Sequence, residues 1–495
     1  MDRRDLLGLA AVASGGGALT LGSVSPASAA NGAANGTTQT VRGHLPHGSP
    51  DFVYLPVRVP PGTNQISVSY TYDRAPGNAL DIGVFDERGT ALGGEGFRGW
   101  SGGFRDRFTI SGAEATPGYL PGPVNPGTWH IALGPYTVAP QGMDYEVTVE
   151  LGRGEQGETP EPTFPPERAK GRGRDWYRGD CHLHTVHSDG KRTPADVAAA
   201  ARAAGLDFLV TTEHNTTSGH GAWAGLWGDD LLVLTGEEVT TRNGHYLALG
   251  TDPGVFFDWR YRARDDAYDR YVRRIHRAGG LVVPAHPNCP FVGCQWKFEY
   301  EGADAVEVWN GPWTADDEIA VGTWDNMLTA RPGRWLPAMG NSDAHKEGQD
   351  VGLPQTVVLA GDLSREALLE GIRTGRSYIA ESSKISLRLT ASGARGEHAD
   401  IGGRLPSRGG GKARVTVRLE VAGAPEGATY RLMTDEGEMR AGPLTGGPVV
   451  WETTAAVASY VRAEVRRPRA PGTPDGVPGA MAAMTNPVWL DGPGG

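Results

Sequence analysis

Apolar and polar positions alternate with a period of two over residues 41–152, in short runs parted by Pro and Gly turns. Gln65-Ile-Ser-Val-Ser-Tyr-Thr-Tyr72 and Tyr145-Glu-Val-Thr-Val-Glu150 are the clearest of these runs, and the spacing predicts an N-terminal β-sandwich. Residues 153–175 are rich in Pro, Gly and charge and read as a linker. The period then lengthens. Thr193 caps a helix that has Pro194 at its first turn and Gly205 past its end. A buried-type strand, Leu206-Asp-Phe-Leu-Val-Thr-Thr, follows it. Strands are expected again at 231–234, 247–249, 281–284, 305–309 and 335–339, with helices near 265–279, 315–330 and 364–374. Alternation of this kind predicts an α/β fold built on a parallel sheet or barrel over 176–383. From 384 to 495 the period of two returns, predicting a second small sandwich.

Composition is that of a globular chain, with 39% hydrophobic and 21% charged residues. Formal net charge is -11 and no block of lysines or arginines occurs, so neither nucleic acid nor an anionic membrane is expected as the main partner. Residues 1–30 read as a twin-arginine signal peptide, with Arg3 and Arg4, a short glycine-containing apolar stretch, and a small-residue cleavage site at Ala27-Ser-Ala29. That stretch is too short to span a bilayer, so the expectation is a protein exported folded, without a stable membrane anchor. Of the three cysteines, Cys181 is expected in the core, and Cys289 and Cys294 are near enough in sequence to pair in an oxidising compartment.

Nine of the 13 histidines fall between His182 and His345, in bursts shared with carboxylates where strands should end. The bursts are His182-Leu-His184-Thr-Val-His187-Ser-Asp189-Gly, Glu213-His214-Asn215, Glu237-Glu238-Val with His245, Ala-His286-Pro, and Asn-Ser-Asp343-Ala-His345. Imidazoles and carboxylates together hold borderline-hard divalent ions, and a polynuclear centre is able to activate water. Glu237 and Glu238 are neighbours on a strand, so only one of them faces the site. His187 is a candidate for a supporting or substrate contact, His276 lies in a basic helix and reads as surface, and His220 reads as exposed loop. Asn310, Lys346 and Arg376 follow strands or motifs near the expected mouth, where a cation would stabilise an oxyanion. No Gly-x-Ser-x-Gly nucleophile motif is present.

In order, His-Leu-His-Thr, Ser-Asp-Gly, Thr-Glu-His-Asn, Gly-Glu-Glu-Val, Pro-Ala-His-Pro and Asn-Ser-Asp-Ala-His resemble the motifs of the PHP (polymerase and histidinol phosphatase) family over residues 176–383. The exported, β-flanked layout and the late Thr-Asn-Pro-Val-Trp resemble its CehA/McbA metallohydrolase subgroup, whose namesakes include a carbaryl hydrolase. The resemblance implies a distorted (β/α)7 barrel holding two or three divalent ions (Zn, Mn or Fe). It implies one ion on His182, His184, Glu238 and Asp343, and a second on Glu238, His245 and His286 with Glu238 bridging. A third would sit on Asp189, His214 and His345. Glu213 replaces the family's commoner Asp before His214, a change confined to a supporting contact. The activity implied is that of a phosphoesterase, in which a metal-bridging hydroxide attacks a phosphate mono- or diester and Glu238, Asp343 and Arg376 assist. The alternative keeps the same centre but attacks a carbamate or carboxylic ester, with Trp223, Trp227, Trp296, Trp309 and Trp313 as available apolar walls. The expected substrate is a small or envelope-derived ester.

Overall fold

The computed structural model describes residues 36–330, 335–406, 411–473 and 476–490; the expected signal peptide, residues 1–30, lies outside them. The fold is mixed α/β, mostly strand with few helices.

The N-terminal strands pair as two sheets. One runs β1 (Gly36–Leu45), β8 (Met143–Arg153), β3 (Thr63–Tyr72), β6 (Arg107–Ser111). The other runs β2 (Val53–Val59), β7 (Gly127–Thr137), β4 (Ala79–Phe85), β5 (Phe97–Gly102). Alternation in β3 sends Ile66, Val68 and Tyr70 into a shared core with Trp129, Ile131 and Val147, which is why two half-polar sheets hold together.

The central sheet begins with three parallel strands, β9 (Asp175–Asp180), β10 (Phe208–Thr211) and β11 (Leu232–Thr241). All ten positions of β11 are buried, as expected of a strand covered on both faces. The chain then doubles back: Arg242 and Asn243 form a tight turn, so β12 (Gly244–Leu249) is antiparallel to β11 and β13 (Leu281–Ala285) antiparallel to β12. On the far side of β9, β16 (Gln355–Ala360) and β17 (Ser377–Ala380) are also antiparallel. A separate parallel pair, β14 (Val306–Asn310) and β15 (Ala338–Asn341), lies beside β13 and β16 without ladder bonds to either. The elements thus depart from the expected (β/α)7 barrel: the hairpin at Arg242 breaks strand–helix alternation, and the ladder does not close among the described residues.

Helices α1 (Pro194–Ala203), α2 (Tyr268–Arg277), α3 (Ala315–Ala330) and α4 (Arg365–Arg373) fall where the sequence pattern puts them. After residue 384 the strands do not make a self-contained sandwich. A four-stranded sheet runs β19 (His398–Asp400), β18 (Ser386–Gly393), β20 (Arg414–Ala422), β23 (Val449–Thr454). The others, β25 (Met481–Thr485), β24 (Tyr460–Arg466), β21 (Thr429–Thr434) and β22 (Gly437–Pro443), extend the central sheet beyond β17, and β26 (Val488–Trp489) pairs with β24. Both groups share one core with Val357 and Tyr378 of the central sheet.

Candidate metal centre

The motif residues arrive at one place because each sits at the same end of the central strands. His182 and His184 follow the end of β9, His214 follows β10, and Glu238 lies late in β11. His245 opens the antiparallel β12, His286 follows β13, and Asp343 and His345 follow β15. His286 (φ 32°) and Asp343 (φ 49°) are non-glycine residues in the left-handed region, a local strain that aims both side chains inward. Gly190 serves the same end: a Cβ there would lie 2.6 Å from the His184 carbonyl, so the turn after Asp189 closes only on glycine.

Glu238 is at the middle and fully buried. Its Oε1 is 2.8 Å from Nδ1 of His245 and 3.3 Å from Nε2 of His286. Its Oε2 is 2.8 Å from Nδ1 of His214, 3.2 Å from Nε2 of His182 and 3.3 Å from Nε2 of His184. The two oxygens thus address two groups of imidazoles. Asp343 Oδ1 lies 3.0 Å from Nε2 of His184 and 3.4 Å from Nε2 of His182, and Asp189 Oδ1 lies 3.2 and 3.5 Å from Nε2 of His345 and His214. Burial works against charge on Glu238 and Asp343, but the surrounding imidazoles outweigh it and hold both carboxyls well below the usual range. Burial, with His345 and His214 nearby, takes His184 down to about 3, and burial takes His245 down to about 4. Both rings are therefore neutral near neutrality, the form that ligates.

Supporting contacts fix the tautomers. His182 donates Nδ1–H toward Glu307, whose oxygens lie 3.1 and 3.2 Å away, so its Nε2 lone pair faces inward. His184 donates Nδ1–H to Ser188 Oγ at 3.3 Å, and Ser188 donates in turn to Glu213. His345 donates Nδ1–H to the Asp343 carbonyl, two residues back, at 2.7 Å. Left over are six buried atoms with no hydrogen-bond partner: Nε2 of His182, His184 and His245, Oδ1 of Asp189 and Asp343, and Oε2 of Glu238. Buried polar atoms are rarely orphaned, and here Nε2 of His182 and His184 lie 3.0–3.4 Å from Oε2 of Glu238 and Oδ1 of Asp343. They fit divalent cations. His184, Asp189, His214 and His345 form one set of mutually close donor atoms, His182, Glu238 and His286 another, and His182, His184 and Asp343 a third.

Glu307 was not singled out by its sequence, yet it is central. It accepts from His182, from the His286 backbone N–H (2.9 Å), from Asn310 Nδ2 (3.1 Å) and from Asn341 Nδ2 (2.9 Å). Val-Glu-Val-Trp reads as an ordinary strand, and a buried carboxylate between two valines was the available signal. Asp180 is similar: fully buried, it accepts from Ser342 Oγ (2.5 Å) and the Gly352 N–H (2.8 Å), which fixes the loop carrying Asp343. Burial pushes its carboxyl up to about 6, against those donors.

Other expectations resolve differently. Glu237 faces away from the centre, where its Oε2 accepts the Phe257 N–H at 2.9 Å. Arg376 does not join the site. It precedes β17, which runs antiparallel to β16, so it stands beside Leu359 and Glu370 at the opposite end of the sheet, exposed. His220 is buried rather than exposed, bonded to the Gly236 carbonyl at 2.9 Å and accepting the Gly254 N–H. His187 bonds Ser218 Oγ (3.0 Å), which also accepts the N–H of Gly118 from the N-terminal sandwich. Asn310 supports Glu307, and Lys346 lies beside Gln349. Trp223 and Trp309 are packed in hydrophobic cores. Aromatic rings near the centre come from elsewhere: Phe52, Trp100 and Tyr136 of the sandwich line a cleft together with Trp259, Asn215, the charged Asp81 and Arg242, and Thr240, whose hydroxyl is 2.6 Å from Nδ1 of His214.

No family model matches the chain. Over 146 residues it is 23% identical to an uncharacterized protein of Methanocaldococcus jannaschii, covering 27% of this chain and 81% of that one. Among solved structures it is similar to a two-domain protein of Bacteroides vulgatus containing a predicted PHP-like metal-dependent phosphoesterase (16% identity, 63% of this chain and 95% of that one, TM-score 0.34). It is also similar to a putative metal-dependent phosphoesterase of Bifidobacterium adolescentis (20% identity, 40% of this chain and 93% of that one, TM-score 0.25).

Proposed function

We propose that this protein is an exported, metal-dependent hydrolase acting on a phosphate mono- or diester. The observation that carries the reading is the grouping of imidazole and carboxylate donor atoms in mutually close sets, with six buried ligand atoms left without a hydrogen-bond partner. His182, His184, Glu238 and Asp343 would hold one ion, Glu238, His245 and His286 a second, and Asp189, His214 and His345 a third. Bound there, zinc, manganese or iron would supply Lewis acidity and activate water. The chain's own residues set the stage for this. Glu238 presents one oxygen to His245 and His286 and the other to His182, His184 and His214, an arrangement that would suit a bridging carboxylate, and its charge would offset repulsion between neighbouring cations. Glu307 and Ser188 hold His182 and His184 with their Nε2 atoms inward. The N-terminal sandwich closes over this end of the sheet, through the Thr216 hydroxyl donating to Gly118 O (3.1 Å) and Arg105 donating to Val186 O (2.5 Å).

One observation favours a second reading, hydrolysis of a carbamate or carboxylic ester. The cleft beside Thr240 carries the rings of Phe52, Trp100 and Trp259 next to Arg242 and Asp81, and Arg376 stands at the opposite end of the sheet. The deciding experiment is metal quantification on the purified mature protein, followed by turnover of p-nitrophenyl phosphate mono- and diesters against p-nitrophenyl acetate and an aryl carbamate. Turnover confined to phosphorus supports the phosphoesterase; turnover confined to carbon replaces it with the second reading. A protein that takes up no divalent ion would sink both. Export in the folded state predicts that a form lacking residues 1–30, retained in the cytoplasm, is already metal-loaded.

A further inference from the structure

Beside the second group of ligands stands a sulfur that the proposed centre does not use. Cys289 and Cys294 are joined in a disulfide with a Cα–Cα distance of 5.7 Å, in the loop that follows His286. The Cys294 sulfur is 3.4 Å from Nδ1 of His286. One donor atom each from His245, His286 and Cys294 lie within 4.8 Å of one another. His245 is only 4% exposed, and its Nε2 is buried without a hydrogen-bond partner. A buried imidazole with an unpartnered nitrogen, a second imidazole and a sulfur at this spacing make a His–His–Cys donor set.

The disulfide is what withholds it. A disulfide sulfur has no charge to offer a cation, whereas a thiolate is among the strongest ligands for zinc and softer ions. The loop's position does not depend on the disulfide alone. The Gly244 N–H donates to Gly293 O (3.0 Å), the Trp296 N–H to Pro287 O (3.1 Å), and the Tyr136 hydroxyl of the sandwich to Val292 O (2.6 Å). These bonds flank Cys294 on both sides, so cleavage of the disulfide leaves its sulfur near His286. Cys294 is also only partly buried, within reach of a dithiol reductant.

We propose that Cys294 is a latent metal ligand beside the centre, made available by reduction of the Cys289–Cys294 disulfide to an ion on the Nδ1 side of His286, the ring nitrogen opposite the Nε2 that faces Glu238. A dithiol gives two electrons and two protons and becomes a disulfide; Cys289 and Cys294 become thiols. Coordination of a divalent ion by Cys294 then displaces its proton to solvent. The oxidised protein has a nitrogen–oxygen centre, and the reduced protein has a thiolate donor on the His245–His286 side, with selectivity moved toward zinc and cadmium. This rests on the reading of the cluster as a metal centre.

Cobalt(II) titrated into the full mature protein tests it, because a cobalt–thiolate bond has a near-ultraviolet charge-transfer band and cobalt on nitrogen and oxygen alone has none. The band should be absent from the oxidised protein, appear after dithiol treatment, be present without reductant in Cys289→Ser, and be absent from Cys294→Ser under all conditions. Cys181 remains in every form and controls for the third thiol. Cobalt uptake without the band in both the reduced wild type and Cys289→Ser would overturn the proposal and leave the metal centre standing. A band surviving in Cys294→Ser would overturn it by assigning the sulfur elsewhere. No cobalt uptake in any form would overturn it together with the metal centre.

Discussion

At the scale of single residues, Glu307 separates what the motifs show from what the fold adds. The nine ligand candidates were legible because imidazole–carboxylate bursts at strand ends have few other uses. Glu307 was not, because its partners, His182, Asn310 and Asn341, come from three strand ends and only folding brings them together. Glu307→Ala should leave a folded protein whose metal affinity is weaker by about 10–100-fold, since His182 loses the acceptor that fixes its tautomer. Metal titration followed by a competing chelator would measure this; unchanged affinity would mean that Glu307 only packs. Sharing of ligands gives a second contrast. Glu238→Gln should cost two ions together and abolish turnover, whereas Asp189→Asn should cost one, with metal-to-protein stoichiometry as the readout. Full metal content in Glu238→Gln would refute the bridging role.

At the scale of elements, local chemistry was the most readable level. Around α1 the structure places the features that the sequence displays: Thr193 Oγ1 accepts the Asp196 N–H at 3.2 Å, Asp196 returns by accepting the Thr193 N–H at 2.9 Å, and Gly205 follows the last turn at φ 73°. Thr193→Ala should therefore destabilise by about 1 kcal/mol in urea unfolding, with Thr193→Ser near wild type. Equal losses in both would place the effect in packing instead. Strand direction was less readable. A period of two marks a half-buried strand but not its sense or its sheet, and this is why Arg376 was misplaced: in an antiparallel β17 the preceding residue stands at the far end. The same ambiguity hid the partition of the C-terminal strands. β21 alternates as the start of β18 and β20 does, yet with β22, β24 and β25 it joins the central sheet through β17.

At the scale of the whole molecule, attachment of those C-terminal strands rests on a buried ionic network that no local pattern announces. Glu464 of β24 is 1% exposed; its Oε1 accepts from Arg462 at 2.6 Å, and its Oε2 accepts from Arg466 Nε at 2.9 Å and from Arg431 at 3.0 Å. Arg462 and Arg466 continue to Asp325 (2.7 Å) and Glu318 (2.6 Å) on α3, tying the extended sheet to the helix beside the parallel pair. Burial alone would raise the Glu464 carboxyl, but Arg462, Arg466 and Arg431 outweigh it and bring it to about 2 from an ordinary 4.5. A folded-state value below the unfolded one stabilises the protein above the unfolded value, and that contribution is lost as pH falls from 4.5 toward 2. A shift of this size corresponds to about 3 kcal/mol across the window. Glu464→Gln should therefore flatten the fall in stability on acidification. At neutral pH it should cost about 3–5 kcal/mol, because Arg462 and Arg466 keep their charges in a buried place with one acceptor fewer. Urea unfolding of both proteins at a series of pH values is the measurement. Curves that run parallel between about pH 5 and about pH 2 would mean that other carboxylates carry the acid sensitivity, and that the network fixes the seam without titrating.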